Sequence, residues 1–129
     1  MKDKLPLITI VDDDESVRES LPDLIREFGF SANAFSSAEE FLESNSLART
    51  DCLILDIRMP GMSGPELQKE LKLLRVEIPI VFITAHMDET DRSRLLEDGA
   101  IDCLFKPFSE TELLNAVNNA LRAHVDPLR

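Results

Sequence analysis

Five side chains of this 129-residue chain are of types that could do chemistry together. Asp12 and Asp13 stand in the stretch LITIVDDDES, where an apolar run ends in four consecutive acids. Asp56 ends the run LILD, Thr84 ends VFIT, and Lys106 follows LF just ahead of Pro107. Unit charges ~4 Å apart repel by about 1 kcal/mol in water and roughly 4 kcal/mol near a protein surface, so adjacent acids need a counter-charge or open solvent. Carboxylates gathered at one place suit a hard divalent cation such as Mg2+, which binds through one or two of them together with waters and phosphate oxygens. Lys106 offers a point charge to an anionic oxygen. Thr84 offers a donor hydroxyl. A carboxylate at the centre could attack phosphorus and form an aspartyl phosphate.

The elements around these residues must bring them together. Five short apolar runs, residues 5–11, 31–35, 52–56, 80–84 and 101–105, are mostly continuous rather than alternating, as in parallel strands covered on both faces. The second, SANAF, is the most polar and is expected at a sheet edge. Helical patterns separate the runs. Val17, Leu21, Leu24, Ile25 and Phe28 repeat at helical spacing, and Gly29 follows as a C-cap. Pro22 interrupts that helix and predicts a kink near Arg18 and Glu19. Ser37 with Glu40 reads as a capping box ahead of Phe41 and Leu42, and Ser109 with Glu112 as another ahead of Leu113, Leu114, Val117 and Leu121. Pro65 suits the first turn of a third helix carrying Leu67, Leu71 and Leu74. Asp88 can cap a fourth helix that runs to Glu97, with Gly99 after it. Leu95 and Leu96 are nearly its only core residues, so it is expected to be the least anchored element.

Five strand–helix alternations predict an α/β fold, a doubly wound parallel sheet with helices on both faces. The domain is expected over residues 1–122, with 123–129 a tail or the start of a linker. In such a sheet ligands bind beyond the carboxyl ends of the strands, where strand order switches. All five chemical residues fall at those ends.

Composition narrows the partners. A formal net charge of −11 repels nucleic-acid phosphates and anionic lipids, so the chain alone is not expected to bind DNA or a membrane surface. No apolar run nears the ~20 residues of a membrane span. The N-terminus has no apolar stretch ending in a small-residue cleavage site, which makes a cytoplasmic setting the simplest. Cys52 and Cys103 lie in apolar runs without metal-ligand spacing and read as small buried hydrophobes.

Over about residues 5–122 the chain resembles the receiver domains of bacterial two-component response regulators. The resemblance rests on VDDDE, LILDIRMPGMSG, FITAH and KPF, in that order and spacing. It implies the flavodoxin-like strand order 2-1-3-4-5. It implies that Asp56 accepts a phosphoryl group from a histidine of a sensor kinase. Asp12 and Asp13 match the acidic pair that holds Mg2+, or Mn2+ in its place, with Asp56 and the backbone carbonyl of Arg58 completing the protein ligands. Thr84 matches the hydroxyl that turns toward the phosphoryl group, and Lys106 the lysine that pairs with it, its bond to Pro107 being cis. The backbone amides of Ile57 and Ala85 match further phosphoryl donors. The chain is thereby expected to catalyse its own phosphorylation and dephosphorylation without turning over external substrates. It is expected to signal to a C-terminal output domain outside this chain or to another partner. A homodimer through the face of the fourth helix, fifth strand and fifth helix is a further expectation. Arg58 and His86 flank the site, where a role in tuning water access and phosphoryl lifetime is open to them; His86 reads first as a surface residue.

One position departs from the family pattern. Three residues before the lysine, where receivers usually carry Tyr or Phe, this chain has Cys103. Phe105 points to the opposite strand face from Leu104 and Lys106 and does not simply stand in. No ligand is lost, so the chemistry is expected to survive, while coupling to the output face is expected to be weak or to use another side chain. Asp14 and Glu15 read as N-cap and first-turn charge. Three other classes compete. A phosphohydrolase with an aspartyl nucleophile commonly needs a second acid two residues on, where this chain has Arg58. A flavin-binding carrier needs a Ser/Thr/Gly-rich phosphate loop, and DDDES would repel the phosphate. An unphosphorylated receiver-like adapter has no use for intact acceptor, metal and lysine positions.

Overall fold

The continuous apolar runs become strands because each is covered on both faces. In the computed structural model, which describes residues 5–85 and 89–124, they are β1 (Leu7–Val11), β2 (Ser31–Phe35), β3 (Cys52–Asp56), β4 (Ile80–Thr84) and β5 (Asp102–Phe105). All pair in parallel, in the order β2-β1-β3-β4-β5. β1, β3 and β4 are buried along their whole length. SANAF is only partly buried and takes the edge its polarity predicted. β1 starts at Leu7 rather than residue 5: Leu5 is exposed, and Pro6 has no N–H to pair. β5 starts at Asp102 rather than residue 101, although the Ile101 amide still donates to the Ile80 carbonyl at 2.8 Å.

Five helices cover the sheet: α1 (Glu15–Glu27), α2 (Ala38–Leu42), α3 (Gly64–Leu73), α4 (Glu89–Glu97) and α5 (Glu110–His124), with a 3-10 turn at Asn45–Ala48. Strand side chains alternate between two cores. Ile8, Ile10, Ile54, Val81 and Ile83 pack with Leu21 and Ile25 of α1 and with Leu113 and Val117 of α5. Val11, Leu53, Leu55 and Phe82 pack with Phe41 of α2, Leu67 and Leu71 of α3, and Leu95 of α4. Each large side chain wholly withdrawn from water contributes about 2 kcal/mol. These cores are what keep the strand ends in fixed register.

Helix ends follow side-chain chemistry, with some differences from expectation. α1 spans Glu15–Glu27 with Pro22 inside it, itself buried. Ser37 accepts from the Glu40 amide at 3.1 Å, but Glu40 does not close the box; its carboxylate accepts instead from the amide and hydroxyl of Ser36. The reciprocal box ahead of α3 is Ser63 with Glu66, and Pro65 falls inside that first turn. Leu74, expected in the core, is about half exposed at the C-cap of α3. Ser109 and Glu112 do bond reciprocally, at 2.8 and 3.0 Å. α5 includes Ala123 and His124. His86, Asp88 and residues 125–129 lie outside the described residues. Both cysteines are buried, and burial pushes their thiols up, Cys52 to about 12 and Cys103 to about 11, so neither is a ready nucleophile. Among the described residues no helix is long and apolar enough to cross a membrane.

Candidate functional site

Sheet register brings the chemical residues level. Val11 pairs with Leu55, so Asp12 and Asp56 leave neighbouring strands side by side. Asp56 pairs with Ile83, and Thr84 with Phe105, which sets Thr84 and Lys106 at the next two strand ends. Asp12, Asp13, Asp14, Asp56, Arg58, Thr84, Ala85 and Lys106 line one cavity of about 220 Å³ at this rim. A larger groove of about 590 Å³ lies at the opposite rim, beside the start of β4 and the end of α5, and gathers none of these residues.

The four consecutive acids divide their labour. Asp12 is fully buried; its Oδ2 accepts from Lys106 Nζ at 3.0 Å and its Oδ1 from the Asp14 amide at 3.0 Å. Asp13 is exposed at the cavity. Asp14 turns away to cap α1, accepting from the amide and hydroxyl of Ser16, and the Ser16 hydroxyl leads in holding its carboxyl below the usual range. Glu15 lies in the first turn of α1, where the helix dipole favours it. One acid is therefore paired, one solvated and two committed to a helix start.

Asp56 is 7% exposed, and Lys106 Nζ stands 3.9 Å from its Oδ1. Burial raises the Asp56 carboxyl, and so do the charge of Asp12, a hydrogen bond with Asp12 and the charge of Asp13; Lys106 opposes them, leaving the group at about 7. Burial alone would lower Lys106, but its bond to Asp12 and the charges of Asp12, Asp56 and Asp14 carry it above its ordinary value. Lys106 remains a cation at neutral pH, nearer to Asp12 than to Asp56.

One oxygen from each of Asp12, Asp13 and Asp56 lies within 4.8 Å of the others. Three hard oxygens at that separation, around a buried carboxylate with a single lysine opposite, fit a small divalent cation. Thr84 is 2% exposed, and its carbonyl accepts from the Lys106 amide at 2.8 Å, tying the ends of β4 and β5 together. The Lys106–Pro107 bond is cis, as the resemblance implied. Arg58 is exposed at the cavity mouth, and Ala85 is exposed beside Thr84.

Ile57 continues the backbone ladder past the end of β3. Its amide donates to the Ile83 carbonyl at 3.3 Å because the β3–β4 ladder continues one residue past Asp56, and its carbonyl accepts from the Gly64 amide at 2.9 Å. Cys103 is 4% exposed in the core beneath α4, while Phe105 is 44% exposed.

Residues 8–118 match the family described as response regulator receiver domain. The chain belongs to that family. Over 122 residues the receiver is 45% identical to the response regulator protein TodT of Pseudomonas putida, covering 95% of this chain and 54% of TodT. It is similar in structure to the response regulator StyR (48% identity, TM-score 0.86), covering 93% of this chain and 61% of that one. The crystal structure of FixJ-N matches with TM-score 0.81 at 36% identity, over 95% of this receiver and 96% of that chain. The receiver spans about half the length of the curated relatives it matches.

Two residues that support the site were not read from the sequence. Arg18 Nη1 donates to the Asp12 carbonyl at 3.0 Å, holding the turn between β1 and α1. A cation six residues after the acid, one turn into a helix, was the available signal. Gly64 starts α3 against the end of β3: a β-carbon there would meet the Asp56 carbonyl at 2.5 Å.

Proposed function

We propose that this receiver accepts a phosphoryl group on Asp56 from a phosphohistidine of a sensor kinase, and that the modified state alters an output domain or partner. The observation that carries this is the placement of the buried Asp56 carboxylate, with Lys106 Nζ at 3.9 Å and the oxygens of Asp12 and Asp13 within 4.8 Å. Asp12, Asp13, Asp56 and the Arg58 carbonyl would hold Mg2+, or Mn2+ in its place. When bound, the cation supplies positive charge to carboxylate and phosphoryl oxygens.

Asp56 attacks phosphorus in line; the new O–P bond forms as the N–P bond breaks, and the leaving imidazole keeps its nitrogen lone pair. The transition state is loose, with charge spread over the peripheral phosphoryl oxygens, so catalysis is mainly positioning and electrostatics. Lys106 pairs with one of those oxygens. The Thr84 hydroxyl and the Ala85 amide donate to others. The Ile57 amide, which donates to the Ile83 carbonyl at 3.3 Å in the unmodified protein, is a further donor beside them. Water attack on the acyl phosphate reverses the modification. Arg58 stands at the mouth, where it can tune that attack. A phosphohydrolase would want an acid where Arg58 stands. The homodimer anticipated through α4, β5 and α5 finds no support in the comparisons and is not part of this proposal.

Incubation with acetyl phosphate or beryllofluoride and Mg2+ tests the proposal. One labile adduct on Asp56, absent from Asp56→Asn, is the expected result. Labelling that survives Asp56→Asn, or multiple turnover on small phosphate esters, overturns it.

A further inference from the structure

The loop between β3 and α3 is held at its tip by a residue from another helix. Glu39, in the first turn of α2, is exposed, and its Oε2 accepts from the Met62 amide at 3.0 Å. The same carboxylate lies against Gly61, where a β-carbon would come within 2.8 Å of Oε2. Gly61 has φ +75°, a conformation that favours glycine, and it presents bare backbone to the acid. The partners are 23 positions apart, so this is not local turn chemistry. A carboxylate accepting from a backbone amide makes a charge-assisted bond, stronger than a neutral one.

Both ends of this tie are well supported. α2 is only five residues long, but Ala38 and Phe41, on either side of Glu39, are fully buried in the core shared with Met59 and Leu67. The base of the loop is closed by the Gly64 amide on the Ile57 carbonyl at 2.9 Å. Between the closed base and the tip lies Arg58, which lines the acidic cavity. Met59 and Met62 pack against the core that α2 shares, and Glu39 adds the polar tie at the tip of the loop.

We propose that Glu39 is a positioning residue for the cation site: it holds the β3–α3 loop so that Arg58 keeps its place at the acidic cavity. This rests on the reading of the acidic cavity as an Mg2+ site. A negative charge near the cavity would also favour a cation at long range, so the bond and the charge must be separated. Glu39→Gln keeps an acceptor oxygen and removes the charge. Glu39→Ala removes both. Glu39 is exposed, so both variants should fold with melting midpoints near the parent's.

The experiment is calorimetric titration of MgCl2 into the parent chain and both variants, with the Met62 amide followed by hydrogen exchange in metal-free protein. In Glu39→Ala the Met62 amide should exchange faster and Mg2+ should bind about fivefold more weakly, whereas Glu39→Gln should stay within about twofold of the parent in both readouts. If the parent binds Mg2+ and Glu39→Ala binds it equally tightly, the positioning role is wrong while the cation site stands. If Glu39→Gln loses as much as Glu39→Ala, charge and not the hydrogen bond is responsible, and the proposal falls. A parent chain that binds no Mg2+ removes the cation site and the role of Glu39 together.

Discussion

α1 and α4 cover the same sheet but are anchored by different means. α1 has thirteen residues, a side-chain cap from Asp14, Leu21 and Ile25 in the core, and Arg18 bonded to the Asp12 carbonyl. α4 has nine; among its described side chains Leu95 is buried and Leu96 partly so. Its described polar tie to β5 is an Arg92–Asp102 ion pair at 3.5 Å, with both side chains about one-third exposed. Such half-exposed pairs contribute from nothing to about 1 kcal/mol, against about 2 kcal/mol for each buried aliphatic side chain. The β1 side of the sheet holds its acids on a stiff support. On the β5 side, among the described side chains of α4, Leu95 is the one withdrawn from water. Elements anchored so differently open at different free energies.

Four experiments would break or sharpen this contrast. The largest effect belongs to the stiff side. Asp56 sits at about 7 in the fold against an ordinary value of 3.8, so the folded state keeps a proton that the unfolded chain releases between those values. In EDTA, this group's contribution to stability is therefore full below about pH 4 and is lost as pH rises through 7, a change on the order of a few kcal/mol. Asp56→Asn should flatten that slope and raise the melting midpoint at pH 8. An unchanged slope would assign it to another group.

Next comes Ile25→Ala, which empties a fully buried site under α1 and should cost about 3 kcal/mol in urea unfolding. Leu95→Ala should cost less, about 2 kcal/mol, and should speed amide exchange in α4 well before the rest of the chain opens. Equal costs for the two substitutions would abolish the distinction between the helices. The smallest effect is that of Arg92→Ala, about 0.5 kcal/mol at low salt and vanishing near 1 M. A loss several times larger, or one indifferent to salt, would mean that the ion pair does anchor α4.

Much of this arrangement could be read from residues alone. Continuous apolar runs announced strands buried on both faces, and SANAF announced the edge. Ser109 with Glu112 announced a helix start, because a capping box is complete within four residues. Asp14 as N-cap was legible for the same reason. The legible features depend on neighbours close in sequence. Those missed depend on which of several partners a side chain or backbone group meets. Glu40 accepts from the amide and hydroxyl of Ser36 rather than from the Ser37 amide, a choice between adjacent residues that spacing does not resolve. Leu74 has the right spacing for the core, yet it stands half exposed at the C-cap of α3. Arg18 and Gly64 look ordinary until the backbone beside each is known.

For the site, the order of motifs determined which side chains arrive at one rim, since alternating strands and helices wind with one hand and place strand ends together. Asp12, Asp13, Asp56, Thr84 and Lys106 follow from that alone. Tertiary structure decided what each does on arrival. It put Lys106 nearer to Asp12 than to Asp56, engaged the Ile57 amide in the β3–β4 ladder, and brought Glu39 to a loop 23 residues away. The physical reason is range. Periodicity and capping act over a few residues, whereas hydrogen bonds and charges act over a few ångströms, and only the folded chain turns one distance into the other.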